Sequence, residues 1–546
     1  MTSIAYGRNE PSTVISTPQP EATETGIDIL ANGGNAVDAA IAASLVQGVI
    51  DPLMCGIGGM AVIQVATSDG KVHVIDGLGK TPLDADEHMW SKDFLGSTTD
   101  GFGYRVTDAR NEYGPESVLT PGFLQSIALL HSEYGKLSWA DLFGPAIEIA
   151  RNGWMIRPHN ATVFHQDERR YGRVDYGEKL VGSPDGRKLY SRENGYPRVG
   201  ELIINSDLAE TLTVLAKEGV QSFYTGTIAR SMIDSIRRDG GLLSAADLEY
   251  YTFTQPEPAS ISYRGWDVYM PPYPAGGVQA LQTLSILKEF DISSLEHNSP
   301  DHLIIMSEAL KAALSDKERL WSSKDASASS FEMLLDSRYV CNQADMIKSG
   351  HRFDVDAGRN DSPHTTHLSV ISDDGTAVSM THTLGNPSGY IPTGLGFMMN
   401  GGMSTFDPRP GSNNSIAPGK RRSTTSAPTI VLSNQRPIIA VGAPGASWIT
   451  SAVVQSLSNV LDFGMSAQEA VMAPRIAITS NAVDISNRIP RRVQRVLEGR
   501  DYEVRRSPLS YAFAAPHMVT AVHGRLDGGA DPQRDGYADT YGTDPL

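Results

Sequence analysis

Thr365 and Thr383 are the side chains in this sequence best placed for covalent chemistry. They belong to the run His364-Thr365-Thr366-His367-Leu368-Ser369-Val370, the turn Asp373-Asp374-Gly375, and the run Ala377-Val378-Ser379-Met380-Thr381-His382-Thr383-Leu384. Two such runs around a short acidic turn ending in glycine predict a β-hairpin with a three-residue loop and Gly375 in the left-handed position. That register sets Thr365 against Thr383, His367 against Thr381 and Ser369 against Ser379. One face is then built of hydroxyls. The other carries Leu368, Val370, Val378 and Met380 and belongs to a core.

A threonine hydroxyl is a weak nucleophile unless a base sits beside it. A free α-amino group on the same residue titrates near neutrality and can be that base. Cleavage of the His364–Thr365 bond would release one, and Thr365 can perform it by attacking the carbonyl of His364 and passing through an ester. Thr383 would then orient the Thr365 hydroxyl. By itself the pattern also fits an antiparallel sheet whose hydroxyl face is merely solvated. The flanking sequence favours chemistry. The stretch 349–363 holds Gly350, Asp354, Asp356, Gly358, Arg359, Asn360 and Asp361 and almost nothing apolar, so it reads as an exposed or mobile linker running into the threonines. Downstream, Gly442-Ala443-Pro444-Gly445-Ala446-Ser447 follows an apolar strand and precedes a helix. Backbone N–H groups in such a turn can form an oxyanion hole.

Other chemistries find less support. His364 and His367 point to opposite faces of a strand, and no His-Glu-x-x-His helix or carboxylate cluster joins them, so no metal is expected. Gly77-Leu78-Gly79-Lys80-Thr81 resembles the end of a phosphate loop, but Val74 stands where the first glycine is required. Gly56-Ile57-Gly58-Gly59 precedes a strand rather than opening a helix, a weak dinucleotide signal. No cofactor is expected.

The elements that position these residues are legible in outline. A helix around 26–31 stops at Asn32-Gly33-Gly34, and a second follows from Asn35. Strands are expected near 61–65 and 72–75, after the glycine turn at 56–59. From 119 to about 349 the pattern is mainly helical, with periodicity over 123–134, 139–152, 208–218, 228–238 and 278–289. From 365 onward it becomes strand-rich, with clear runs at 429–432 and 437–441 and a helix from near Ser447.

With 546 residues, 40% hydrophobic and 20% charged, the chain has the composition of a soluble globular protein. Its net charge of -17 argues against nucleic acid and anionic membrane as partners. The cluster Lys420-Arg421-Arg422 is too short to reverse that and suits a local structural or substrate-binding role. The two cysteines, Cys55 and Cys341, lie far apart, which speaks against a disulfide framework or a thiolate metal site. Residues 1–20 show no basic n-region or apolar run, and the apolar stretch 39–50 is too short to span a bilayer. Cytoplasmic residence is the expectation.

Over about 17–538 the sequence resembles the γ-glutamyltranspeptidase family of N-terminal-nucleophile hydrolases. The resemblance is carried by Gly33-Gly34-Asn35-Ala36-Val37-Asp38-Ala39-Ala40, Pro271-Pro272-Tyr273-Pro274-Ala275-Gly276-Gly277, Thr365-Thr366-His367-Leu368-Ser369-Val370, Ser426-Ala427-Pro428-Thr429-Ile430, Gly442-Ala443-Pro444-Gly445, Ala473-Pro474-Arg475 and Asp531-Pro532-Gln533-Arg534-Asp535-Gly536-Tyr537-Ala538. It implies a four-layer αββα sandwich made as one precursor. Self-cleavage would give a large subunit, 1–364, and a small catalytic subunit, 365–546, together forming one domain. The processed pair leaves room for further dimerisation.

The resemblance further implies that Thr365 is the nucleophile, Thr383 its supporting threonine, and Gly445 and Ala446 the oxyanion pair, where the family has two glycines. Thr424 and Thr425 stand where the family has a serine pair touching the substrate's α-carboxylate. Three departures bear on the substrate. Leu78, in Asp76-Gly77-Leu78-Gly79-Lys80-Thr81-Pro82, replaces the arginine that takes the glutamate carboxylate. Thr405, in Gly401-Gly402-Met403-Ser404-Thr405-Phe406, replaces the acid of the pocket that holds the amino group. Gly385 replaces an asparagine two residues after the second threonine, with Asn386 adjacent as a substitute. Charge-assisted hydrogen bonds contribute about 1.5–3 kcal/mol each, so the zwitterionic glutamyl group loses most of its hold. The expected activity is a self-processing threonine amidohydrolase acting on a small amide whose acyl part lacks a free amino-acid head group. The alternatives are a γ-glutamyl hydrolase or transferase, its head group held by Thr424, Thr425, Asn386 or Lys80, and a scaffold without catalysis.

Overall fold

Twelve strands build two antiparallel sheets that lie face to face. In chain order they are β1 (Thr13–Thr17), β2 (Met60–Ala66), β3 (Val72–Gly77), β4 (Ala259–Tyr263), β5 (Trp266–Met270), β6 (Thr366–Ser372), β7 (Ala377–Thr383), β8 (Thr429–Ser433), β9 (Arg436–Gly442), β10 (His517–Thr520), β11 (Asp527–Ala530) and β12 (Tyr537–Tyr541). The first sheet runs β12-β1-β6-β7-β2-β3 and the second β11-β10-β9-β8-β5-β4. The structure, a computed structural model, describes residues 11–99, 103–355 and 365–542. Strands from both sides of residue 365 therefore pair within each sheet.

Helices α1 (Pro20–Ala31) and α2 (Ala36–Ile50) cover the outer face of the first sheet; α3 (Gly277–Lys288), against which α4 (Pro300–Ser322) packs, and α5 (Ile449–Leu461) cover that of the second. Leu368, Val370, Val378 and Met380 pack into one core with the alanine-rich α2. Val431, Ile439 and Val441 join a second core with α3, α4 and α5. Between the sheets lie Val14, Ile371, Ile430, Leu432, Ala440 and Val519. These are the four layers of an αββα sandwich.

The sequence motif at 33–40 explains how α2 reaches the middle of the molecule. Asn35 caps the helix by accepting the Asp38 N–H at 2.9 Å, and Asp38 returns the bond to the Asn35 N–H at 3.0 Å. Asp38 also accepts the N–H groups of Lys136 and Leu137, at 3.0 and 3.1 Å. Beyond the cap, the run Ala39–Ala43 has no exposed side chain, as expected of a helix apolar on every side.

The expected helices at 123–134 and 139–152 are found as Phe123–Tyr134 and Trp139–Asn152, and α3 and α5 lie where expected. One difference is β4 and β5, which interrupt the stretch read as mainly helical. They pair through a tight turn with Arg264 and Gly265 at positive φ, and their short alternation is overshadowed by the helices around them. Both cysteines are free.

Candidate active site

The hairpin forms in the expected register, with His367 paired to Thr381 and Ser369 to Ser379. Ser372 and Thr376 close the loop by a 2.9 Å N–H to carbonyl bond, and Gly375 takes φ +91°. The hydroxyl face is not solvated. It is pressed onto the second sheet, where Ser379 donates to the Val441 carbonyl at 3.1 Å and accepts the Thr429 N–H at 3.1 Å. Ser369 donates to the His517 carbonyl at 3.2 Å. Between these hydroxyls sits the His367 ring, 2.8 Å from Thr381 Oγ1 and 2.9 Å from Ser369 Oγ. Both ring nitrogens are thus engaged by hydroxyls. Burial, then the neighbouring His382, lowers His367 to about 3, so the ring is neutral at physiological pH. Serines and threonines here cross-link two sheets through groups that would otherwise be buried without partners.

Thr365 immediately precedes β6, two residues before His367, and His364 lies outside the described residues. The Thr365 hydroxyl donates to Thr383 Oγ1 at 2.9 Å, and Thr383 Oγ1 also accepts the Gly385 N–H at 2.7 Å. Both threonines are buried, with 5% and 3% exposure. Thr365 has φ +89°, which a β-branched residue adopts only at a cost of about 1–3 kcal/mol. Its carbonyl accepts a hydrogen bond from Arg534, a fully buried side chain on the 531–538 motif. The adjacent Asp531 is paired with Arg475 at 2.6 Å. In the sequence Arg534 stands out only as a basic residue among the acids and glycine of the 531–538 motif, and that is the available signal for its hold on Thr365.

The 442–446 turn leaves β9 directly above the hairpin. A side chain at Gly442 would come within 2.3 Å of the His367 ring, so the turn starts two residues from Thr365 in the facing strand. Gly445 has φ +137° and lies against Ala514, while Ala446 has φ +49°. Among the described residues, the N–H groups of Gly445 and Ala446 donate to no protein acceptor. Two unspent donors in one turn are the raw material of an oxyanion hole. Thr425 braces this turn by donating to the Ala446 carbonyl at 2.9 Å.

The remaining expected binding residues divide by what they touch. Thr425 is spent on the turn, whereas Thr424, bonded to Ser426 at 3.0 Å, lines a narrow cleft with Tyr273, Gly276, Gln279, Lys317 and Trp321. Asn386 Oδ1 accepts from Lys179 at 2.7 Å, and Lys179 pairs with Glu112 at 2.6 Å. Leu78 is 1% exposed and packs with Met60, Leu119, Met403 and Phe406 in a small apolar core. Gly402 opens a short 3-10 turn, Gly402–Thr405, that Thr405 closes by donating to the Gly402 carbonyl at 3.0 Å. Lys80 donates to Thr252 at 2.9 Å.

The basic cluster splits three ways. Lys420 caps the carbonyls of Asn413 and Ser415. Arg421 pairs with Asp76 at 3.1 Å. Arg422 runs inward beside Gly385, with 3% exposure.

Comparison with known proteins agrees with this fold. The family model for gamma-glutamyltranspeptidase matches residues 22–541. The acylase ACY 1 proenzyme of Pseudomonas sp. (strain SE83) is 33% identical over 503 residues, 91% of this chain and 88% of the relative. The glutathione hydrolase proenzyme of Escherichia coli (strain K12) is 29% identical over 481 residues, 85% of this chain and 80% of the relative. The crystal structure of cephalosporin acylase from Bacillus halodurans superposes with a TM-score of 0.83 at 27% identity, covering 99% of both chains. The chain belongs to the γ-glutamyltranspeptidase family and is by class an N-terminal-nucleophile amidohydrolase or acyltransferase.

Proposed function

We propose that the protein is a self-processing threonine amidohydrolase in which Thr365 is the nucleophile and the substrate is a small acyl amide. The observation that carries this is the 2.9 Å contact between the Thr365 and Thr383 hydroxyls, beside a turn with two unspent N–H donors. In the first event, Thr365 Oγ adds to the His364 carbonyl; the peptide C–N bond breaks as its nitrogen takes up the proton, which frees the Thr365 amine and leaves an ester, and water hydrolyses that ester to the His364 carboxylate and the Thr365 hydroxyl. In turnover that amine accepts the hydroxyl proton as Oγ adds to the substrate amide. Gly445 and Ala446 N–H groups receive the oxyanion. The proton passes to the departing amine, and water cleaves the acyl ester, restoring Thr365. The functional unit is the processed pair of chains.

Acylase names among the relatives support a simple acyl donor. The absence of charge at Leu78 and Thr405 supports it further, because the two ion pairs that would hold a glutamyl zwitterion have no counterpart at those positions. The glutathione hydrolase relatives favour a second reading, turnover of γ-glutamyl amides. Denaturing electrophoresis with N-terminal sequencing tests the mechanism: a small chain beginning at Thr365 is expected from wild type and none from Thr365→Ala. Active protein that migrates as one intact chain refutes it. A γ-glutamyl anilide assayed beside simple acyl anilides ranks the two substrate classes.

A further inference from the structure

Asp51 is a buried acid that the reaction above does not use. It follows the last residue of α2 and is 2% exposed. Among the described residues its carboxylate accepts one hydrogen bond, from Gln19 Nε2 at 2.8 Å, and lies 4.0 Å from His159 Nε2. The titratable groups that face it are Cys55 from the turn after α2, His159 from the helix Pro158–Phe164, and Arg534 and Asp535 from the 531–538 motif. Burial outweighs the nearby Arg534 charge and pushes the Asp51 carboxyl up to about 7. Burial also raises Asp535 and Cys55 and holds His159 well below its ordinary value.

Two routes lead from this carboxylate to Thr365. The first is electrostatic. Asp51 offsets the charge of Arg534, which donates to the Thr365 carbonyl, while the nearby Asp531 is taken by Arg475. The second is a chain of buried amides. Gln19 gives Nε2 to Asp51, and its Oε1 accepts Gln47 Nε2 at 3.0 Å. Gln47 Nε2 also donates to Thr366 Oγ1 at 3.2 Å, and Gln47 Oε1 accepts His382 Nε2 at 2.8 Å. An ionised carboxylate accepts and never donates, so Asp51 fixes which way both amides face. The chain ends on the residue after Thr365 and the residue before Thr383. Thr365 itself sits at φ +89°, a conformation that persists only where its surroundings impose it.

Resting on the reading of Thr365 as nucleophile, we propose that Asp51 is a positioning residue for self-cleavage: its ionised carboxylate, through Arg534 and through Gln19 and Gln47, holds the Thr365–Thr366 backbone in the conformation from which the Thr365 hydroxyl attacks. Asp51 touches none of the reacting atoms and exchanges no proton with them. Once protonated it no longer balances Arg534, and it can donate to Gln19 and turn both amides. Self-cleavage should therefore slow as pH falls through about 7. The free Thr365 amine forms only when that bond breaks, so it is not the source of such a limb.

The test dilutes briefly translated chains into buffers between about pH 5.5 and pH 8.5 and follows their cleavage on denaturing gels. The wild-type rate is expected to fall about tenfold between pH 8 and pH 6, the change in the ionised fraction of one such group. Asp51→Asn, which cannot ionise, should cleave about tenfold more slowly than wild type at pH 8 and show no such fall. A flat wild-type profile, or the same fall in Asp51→Asn, overturns the proposal. The wild-type profile decides by itself where Asp51→Asn does not fold. If no chain beginning at Thr365 forms at any pH, the nucleophile reading fails instead. Hydrogen exchange over 366–372 of the uncleaved chain then decides for Asp51 alone: Asp51→Asn should exchange severalfold faster, and equal rates overturn its positioning role.

Discussion

Replacing Thr383 by valine removes one oxygen and almost no volume, yet that oxygen holds two donors. Its Oγ1 accepts the Thr365 hydroxyl at 2.9 Å and the Gly385 N–H at 2.7 Å, in a residue only 3% exposed. Valine leaves both donors facing a methyl group. Each buried group stranded this way costs about 1–3 kcal/mol, so the folded state should lose roughly 2–6 kcal/mol. The kinetic effect is separate. As Thr365 Oγ gives up its proton it gains negative charge, and a hydrogen bond that orients it acquires charge-assisted strength. A loss of about 1.5–3 kcal/mol at that point corresponds to a fall of about 10- to 150-fold in self-processing and in amide turnover. Thr383→Ser, which keeps the oxygen, should stay within severalfold of wild type. Processing is followed by quenching cell-free translation at intervals and separating the chains by denaturing electrophoresis; turnover is measured on material that has completed cleavage. Thr383→Val that processes and turns over within threefold of wild type would show that the contact neither orients nor activates Thr365.

Gly445→Ala should abolish turnover, because φ +137° strains any other residue and its Cβ would meet Ala514 at 2.6 Å; Ala446→Gly, which relieves φ +49°, should keep activity and gain about 1 kcal/mol, readable in Tm and anilide kinetics. Burial lowers His367 and His382 each to about 3, against about 6.5 unfolded. The unfolded chain therefore takes up protons first as pH falls, so stability is fully present above pH 6.5 and is lost between 6.5 and 3. Urea unfolding of the uncleaved Thr365→Ala chain across that window should show it, and His382→Gln should reduce the slope by about 1.4 kcal/mol per pH unit.

Much of the site was legible because it is local. The hairpin register follows from alternation, loop length and one glycine, and it brought Thr365 to Thr383 as expected. The 442–446 turn was legible for a similar reason: a strand, small residues and a helix start occupy consecutive positions. Local pattern was weaker where a short element stood among longer ones, as with β4 and β5. Nor does it tell neighbours apart: Thr424 and Thr425 are of one type, yet one lines a cleft and the other braces the 442–446 turn, because adjacent side chains on an extended segment point in opposite directions.

What the sequence alone determined is the order of the elements, the hairpin and the pairing of its hydroxyls, since these depend on neighbours along the chain. The tertiary structure decided which surroundings those groups meet. Only the packing of one sheet on the other turned the hydroxyl face from a solvated surface into a buried layer. Only long-range contact brought Arg534 to the Thr365 carbonyl and set Arg422 among Met60, Gly385 and Thr405. A run of three basic residues carries no mark of which one goes inside. Burial and the space left by a distant glycine decide that, and both belong to the folded chain.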